Sequence, residues 1–548
     1  VNKLHVKILP YYVLAIISVV SIALKLHVFH AGAPYVTIDD YTLYEAGFLV
    51  WFGEAPPQRM YFESWIVGAS SIATYLYQLA TAGNLDQIGL NLIADAYRAF
   101  QQAPDDFVKT YRALMLLIDL ATAGIVFLLA KHIFATHSHN RWLAALASGL
   151  YLLSYNTIWC YIVARPDTVT AFFAALGTYY YYKSNFGEHK KLFYGSAIAL
   201  GCATGFKLHA ALFVVFFIFD MIRQLGFVEA IKRTIPFGTV SVFIFMVAAG
   251  SPLFDPLLYA KLRALNVKDD ASPWIHWGEQ FFTALRGTGW LIAPAVVISA
   301  IFNYRNKTTA VNPKVTSIIF VTCLFLLFFL SIRQLRAYWM LPTLPLFYIS
   351  SLYLLSTIKN RALVGAAASC LLLIFSTQSY LQSQEFNNAN YHQLKSWVTK
   401  HVNPEEVIYI IGYDTLFLPC NTTCLTNRKA SLQKQLVDAE RAGESFTHRH
   451  IRQWEERAYL QLIDMLNTTS DIGFNYYGLN QTPLASLQNI VNFSDIQYVL
   501  VLPGYDTPDA LELLTRVKKE FSLVTTANAP GGKAGTGGLP YDIYARNK

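Results

Sequence analysis

Residues 8–45 read ILPYYVLAIISVVSIALKLHVFHAGAPYVTIDDYTLYE: an apolar run from Ile8 to about Phe29, a short passage, then the adjacent acids Asp39 and Asp40. About 20 apolar residues cross a bilayer as a helix, so the run reads as a membrane span. Its length and the lack of a small-residue cleavage site argue against a cleavable signal peptide. A carboxylate pair at the membrane edge, opening the long loop after a span, is expensive to keep there. Such pairs usually mark chemistry done at the bilayer surface.

The rest of the chain repeats the first run. Of 548 residues, 54% are hydrophobic and only 14% charged, against about 25% charged in an ordinary soluble domain. Mean hydropathy is +0.34. The expected fold is a polytopic α-helical membrane protein of about 11 transmembrane helices with a C-terminal extracytoplasmic α/β domain. Spans are expected near residues 8–30, 111–133, 142–161, 167–182, 192–206, 208–223, 234–250, 288–303, 315–332, 338–357 and 362–381. The fifth and sixth are separated only around Lys207. Trp65 to Ala82 is also fairly apolar but carries Gly68, Ser70, Ser71, Thr74 and Gln78, and reads as an interfacial helix of the first loop.

Basic residues set the orientation. Lys3 and Lys7 precede the first span; Lys131, His132 and Arg141, then Lys183, Lys190 and Lys191, then Arg223, Lys232 and Arg233, then Arg305, Lys307 and Lys314, and finally Lys359 and Arg361 fill every other short loop. Those loops are assigned to the cytoplasm, and an odd span count places the C-terminus outside. The net charge of +8 is thus accounted for by topology, with no nucleic-acid partner. A bacterial or archaeal plasma membrane fits, with the endoplasmic reticulum as the other setting. The expected division is residues 1–381 as the membrane domain, with 31–110 as a long outer loop, and 382–548 as the extracytoplasmic domain. In the latter, Val407-Ile-Tyr-Ile-Ile-Gly and Tyr498-Val-Leu-Val-Leu read as buried strands, Pro508 to Phe521 as an amphipathic helix, and Phe521 to Thr525 and Tyr541 to Tyr544 as further strands.

Cys160, Cys202, Cys323 and Cys370 lie in or beside apolar spans and read as core residues. Cys420 and Cys424 share a polar loop. A disulfide fits them if the loop faces an oxidising compartment; two thiols or a metal pair are the alternatives.

The outer loops gather Asp39, Asp40, Arg59, Glu63, Arg112, Arg165, Asp167, Lys207, Arg333 and Arg336 on one face. Transfer of a sugar from a polyprenyl phosphate needs such groups. A carboxylate can deprotonate the acceptor hydroxyl, and cations can stabilise the departing phosphate. Asp39 is the choice for base. Asp40 is a helper, a metal ligand or a helix N-cap. Lys207 reads as a phosphate contact, and Arg112 equally as phosphate contact or interfacial anchor. Arg333, Arg336 and Tyr338 divide the same way. Arg165 and Asp167 flank Pro166 and serve a helix start or support the site, as do Arg59 and Glu63. His209 reads as a packed hydrogen-bonder. Trp274, His276 and Trp277 are a weak candidate acceptor path. There is no Gly-rich phosphate loop and no His-Glu-x-x-His, and the sequons at Asn421, Asn467 and Asn492 matter only in a glycosylating lumen. Two adjacent carboxylates make a weak case for a divalent metal.

Taken in order, the acidic pair, the Arg opening the second span, Ala164-Arg-Pro-Asp, Gly205-Phe-Lys and Arg336-Ala-Tyr-Trp-Met-Leu-Pro-Thr-Leu-Pro resemble the GT-C glycosyltransferases. The nearest groups are the protein O-mannosyltransferases and the bacterial lipid A aminoarabinose transferases. Asp39-Asp40-Tyr-Thr-Leu-Tyr-Glu is similar to that family's Asp-Glu-x-x-Tyr motif. The resemblance covers residues 8 to 380. It implies a polyprenyl-phosphate monosaccharide donor, an acidic base at Asp39, cations near the phosphate, and a glycan, lipid or protein acceptor. The chain departs from the pattern in its second acid, Asp40, and in Ser64-Trp-Ile-Val, where the family carries Lys-Pro-Pro-Leu or His-Pro-Pro-Leu. Acid pairs of the Asp-Asp kind also occur in arabinosyltransferases, which leaves a pentose open. The absent Trp-Trp-Asp-Tyr-Gly disfavours en bloc oligosaccharide transfer. The competing reading is a transporter or lipid flippase with an outer domain. It expects ionisable groups near the midplane and matching broken helices, whereas the span centres here read as nearly charge-free, Asp119 being the main exception. A non-catalytic assembly subunit would need no acidic pair.

Overall fold

The computed structural model describes residues 3–29, 38–52, 61–88, 91–137, 139–163, 165–250, 277–305, 312–331, 337–358, 360–387, 390–411, a few positions between 421 and 430, and 475–478, 493–502, 508–527 and 541–547. Arg59, Trp274, His276, Arg333, Arg336 and Cys420 lie outside the described residues.

The protein is an integral membrane protein. Seven described helices are long and apolar enough to cross a bilayer, covering residues 8–29, 104–133, 208–225, 227–249, 313–331, 337–357 and 362–384. Two bent pairs raise that to nine. Helices α1 (Lys3–Phe29), α2 (Ile38–Phe52), α3 (Tyr61–Ala82), α4 (Leu92–Gln102) and α5 (Pro104–Ile133) come first. Next are α6 (Asn140–Leu152), α7 (Tyr155–Ile162), α8 (Asp167–Lys183), α9 (Lys190–Phe206), α10 (Ala211–Leu225) and α11 (Phe227–Ala249). Then come α12 (Trp277–Thr288), α13 (Ile292–Arg305), α14 (Pro313–Ser331), α15 (Leu344–Thr357), entered through a 3-10 segment Ala337–Thr343, α16 (Arg361–Asn387) and α17 (Asn390–His401). All eleven expected spans are helical. Two breaks stand out: within the span at 142–161, α6 and α7 meet at 42°, and the span at 288–303, which is α13, meets the preceding α12 at 94°. The first break has a local cause. Ser154 caps α7, its hydroxyl accepting from the Thr157 amide at 3.1 Å, so a new helix begins where the old one stops. At the second break Gly289 has φ +93°, backbone that favours glycine. Helices α8 and α9, of 17 residues each, are one short of the 18-residue span length.

The chain forms two compact units: residues 1–28, 60–63 and 112–383 in one, and 29–59, 64–111 and 384–548 in the other. In the first, α9 crosses α11 at a glycine seam. A Cβ on Gly201 would meet the Ser241 carbonyl at 2.6 Å, and one on Gly205 would meet Ala248 Cβ at 2.4 Å. In lipid, apolar surface does not drive helices together, so close backbone approach and interhelical hydrogen bonds do. Ser241 donates to the Ala197 carbonyl at 3.1 Å, and Ser196 to Gly177 across α8 at 2.7 Å.

In the second unit, α2 and α3 touch at Gly47 and Gly68, where a Cβ on Gly47 would sit 2.8 Å from the Gly68 nitrogen. Trp51 donates to the Trp65 carbonyl at 3.0 Å, and their rings stack at 5.3 Å. Helix α3 starts at Tyr61, ahead of the expected Trp65, and is not among the helices apolar enough to span. The C-terminal part adds strands β1 (Val407–Ile411), β2 (Asn475–Gly478) and β3 (Ile496–Val501), helix α18 (Pro508–Glu520), and strands β4 (Phe521–Ala527) and β5 (Tyr541–Arg546). The sheet order is β2-β1-β3-β5-β4. β1 runs parallel to β2 and β3, and β5 antiparallel to β3 and β4. β1 is buried along its whole length, which explains its unbroken apolar sequence. Ala510, Leu513 and Val517 of α18 pack against Val407, Tyr409 and Val499 in one core. Burying each Leu or Val there stabilises by about 1.5–3 kcal/mol.

Candidate functional site

Asp39 and Asp40 stand in the first turn of α2, where the helix dipole favours negative charge.

Six other expected residues come together in the first unit. Helix α7 ends at Ile162, and the chain turns through Arg165 and Pro166 into α8, whose first residue is Asp167. The Arg165 amide holds the turn by donating to the Cys160 carbonyl at 3.1 Å. Asp167 is fully buried, yet among the described residues neither carboxylate oxygen has a hydrogen-bond partner. Lys207 sits at the α9 C-terminus in extended conformation (φ −146°, ψ 117°). Its Nζ lies 3.7 Å from Asp167 Oδ2, with the Lys207 side chain 24% exposed. That is an ion pair but not a hydrogen bond. Burial works against the Lys207 charge, but Asp167 and Glu63 outweigh it and hold the ammonium above its usual range, with Arg165 opposing. Glu63, at the start of α3, is buried.

Arg165 lies over the Tyr338 ring at 4.2 Å, a cation–π contact. His209, just past Lys207, stacks with Trp339 at 6.3 Å, and its buried Nε2 has no hydrogen-bond partner among the described residues. Thr168 Oγ1 is likewise buried without a hydrogen-bond partner among the described residues. The 3-10 segment carrying Tyr338 is tied in by Asn156, whose Nδ2 donates to the Ala337 carbonyl at 2.7 Å and to Gly287 at 2.8 Å. The sequence reading did not single out Asn156.

Arg112 is placed differently. Its side chain is fully buried. The guanidinium donates to the Ile162 carbonyl from Nε at 3.1 Å and Nη2 at 2.9 Å, and to the Val28 carbonyl from Nη1 at 3.3 Å. It ties the last turns of α7 and α1 rather than reaching toward water. Sequence reading also passed over Lys25, one charge within the first apolar run. Its ammonium pairs with Asp119 at 2.5 Å, both side chains wholly buried. The signal was present: Lys25 is a lone Lys near the end of its apolar run, and Asp119 a lone carboxylate within its own.

Among the described residues no group of three His, Cys, Asp or Glu side chains is placed to hold a metal ion. Cys424 is disulfide-bonded. The four remaining described cysteines are thiols: Cys160 is buried, Cys202 and Cys323 are half-buried, and Cys370, expected in the core, is exposed on an apolar helix.

No family model matches the chain, and no curated protein does. The chain is similar to solved structures. ArnT from Cupriavidus metallidurans bound to undecaprenyl phosphate matches at a TM-score of 0.46 and 11% identity, over 99% of this chain and 98% of that one. The same protein in the apo state gives 0.44 and 10%, over 96% and 97%. The Archaeoglobus fulgidus oligosaccharyltransferase tethered to an acceptor peptide gives 0.41 and 10%, over 100% and 75%.

Proposed function

We propose that this protein is an integral membrane glycosyltransferase that moves a monosaccharide from a polyprenyl-phosphate donor to a glycan, lipid or protein acceptor on the outer face of the membrane. The observation that carries this reading is the Lys207 cluster. Lys207, Asp167 and Glu63 make no side-chain hydrogen bond among the described residues, yet are gathered at a helix junction in an apolar bundle. Buried charges left so are costly unless a ligand completes them. A sugar-bearing phosphodiester on an apolar tail is such a ligand: the ammonium takes the phosphate, and the carboxylates take sugar hydroxyls.

The chemistry follows from the charges. The carbon–oxygen bond from the anomeric carbon to phosphate breaks, and the leaving phosphate keeps the electron pair, stabilised by Lys207. Asp39 takes the acceptor hydroxyl's proton as the new glycosidic bond forms, with Asp40 as helper. The reading adopts a cytoplasmic N-terminus and an extracytoplasmic C-terminal region. The basic loops support that orientation, as does a disulfide at Cys424, paired in this reading with Cys420.

The test is sugar release from radiolabelled polyprenyl-phosphate monosaccharides by purified protein, wild type against Asp39→Asn. Turnover in the wild type that is lost in the variant, with donor binding kept, is the expected result. An undiminished rate in Asp39→Asn removes that residue as base. No turnover on any donor, with lipid binding intact, moves the reading to a transporter or lipid flippase.

A further inference from the structure

Helix α1 is held along one narrow face: only 22% of its apolar stretch is buried, the buried positions being Ile17, Ser21, Lys25 and Val28, with Ser21 donating to the Leu152 carbonyl of α6 at 3.1 Å. In a bilayer so narrow a face fixes rotation and register through a few polar and close contacts. Two polar contacts from α5 act near its end. Asp119 takes the Lys25 ammonium at 2.5 Å, with both side chains 0% exposed. Seven residues earlier on α5, two turns away, Arg112 donates to the Val28 carbonyl at 3.3 Å. The same two residues also reach the α6–α7 break. Tyr151, in the last turn of α6, donates to Asp119 Oδ1 at 3.3 Å. The Lys25 ammonium lies 5.4 Å from the ring centroid of Tyr161 on α7, and Arg112 holds the Ile162 carbonyl. Three residues after Ile162 comes Arg165, and two further on Asp167, the partner of Lys207.

An ion pair is a poor choice if stability alone is wanted, because well-packed apolar side chains of similar volume stabilise as well or better. What a paired charge offers is one register, since every other rotation of α1 leaves two buried charges apart. We propose that Lys25 and Asp119 are positioning residues: their pair locks α1 and the short helix α7 onto α5 and so sets where the Arg165–Asp167 turn presents its carboxylate to Lys207. The consequence for ligand binding rests on the reading of that cluster as the donor-phosphate site.

The test uses full-length purified protein with Cys202, Cys323 and Cys370 changed to Ser, so that buried Cys160 on α7 is the reporter thiol. In this background Lys25→Met/Asp119→Leu is compared with Lys25→Arg and with the parent. Maleimide labelling of Cys160, measured without ligand, is expected to speed up about tenfold in the apolar double variant and stay at the parent rate in Lys25→Arg, while thermal stability of the double variant holds. Unchanged labelling in the double variant overturns the positioning role. The second arm is affinity for undecaprenyl phosphate, expected to weaken about tenfold in the double variant. If labelling rises but the parent itself does not bind undecaprenyl phosphate, the positioning role stands and the donor reading fails. If the parent binds and the double variant binds equally well, the link from the pair to the Lys207 cluster is refuted.

Discussion

Arg112→Leu separates the helix-tying role that the structure shows for that residue from the phosphate contact that the sequence allowed. Among the described residues its guanidinium donates three hydrogen bonds to the Ile162 and Val28 carbonyls, with no side-chain exposure. Removing it leaves two buried carbonyls short of their donor, at about 1–3 kcal/mol each. Relief of the cost of burying a cation offsets part of this, so the net destabilisation is about 3 kcal/mol. Unfolding entropy is about 2.1 cal/mol/K per residue. Over the roughly 300 residues of the helical unit that gives about 0.6 kcal/mol/K, and the expected fall in Tm is about 5 °C. Thermal unfolding in detergent, followed by the exposure of Cys160, reads this directly. Arg112→Lys should fall between the two, because a single ammonium does not reproduce the fork that grips Ile162 from two nitrogens. A Tm within a degree of wild type, with only undecaprenyl-phosphate affinity lost, would show that Arg112 serves a phosphate and not the helix ends.

Lys207 gives a pH signature. Its ammonium is held above the usual range because Asp167 and Glu63 outweigh burial, so its charge is fully present below the ordinary lysine value and is lost only as pH rises through the higher folded one. Donor affinity should therefore be flat from about pH 7 to 9, and in Asp167→Asn the alkaline fall should begin at lower pH; a wild-type decline already between those values removes Lys207 as the phosphate cation. Gly205→Ala places a methyl where Ala248 Cβ is 2.4 Å away and should cost about 1–3 kcal/mol, whereas Gly238→Ala, with open space around it, should leave Tm within the scatter of replicate melts. Thiol titration of the denatured protein should find four reactive thiols without reductant, matching the four thiol cysteines, and all six after reduction; six at the outset would rule out a disulfide at Cys424.

The spans were legible because each is a long apolar run, and the C-terminal strands because β1 and β3 are buried apolar stretches between turn residues. Strand β2, Asn475–Gly478, was missed: four residues at a sheet edge, reading Asn-Tyr-Tyr-Gly, carry no periodicity to detect. The breaks at Ser154 and Gly289 were also missed, because hydropathy averages over a window and does not see a cap or a left-handed glycine. At the candidate site, residue type pointed to Arg165, Asp167, Lys207 and Glu63, since polar groups beside apolar runs stand out. It did not divide them from Arg112, because whether a guanidinium meets water or a helix-end carbonyl depends on a neighbour distant in sequence. Lys25 and Asp119 pose the same difficulty, being 94 positions apart.

That separation bears on how the protein is made. Lys25 leaves the ribosome well before Asp119 exists, and a lone lysine within an apolar helix resists entering the bilayer by about 2.5–3.5 kcal/mol at its centre. Lys25 stands four residues from the end of α1, where that cost is smaller, and the apolar residues before it offset the rest, so α1 enters lipid with its counter-charge still to come. The charge left unpaired by one insertion becomes the attraction that seats the next helix, so Asp119 on α5 completes in the bilayer what Lys25 began.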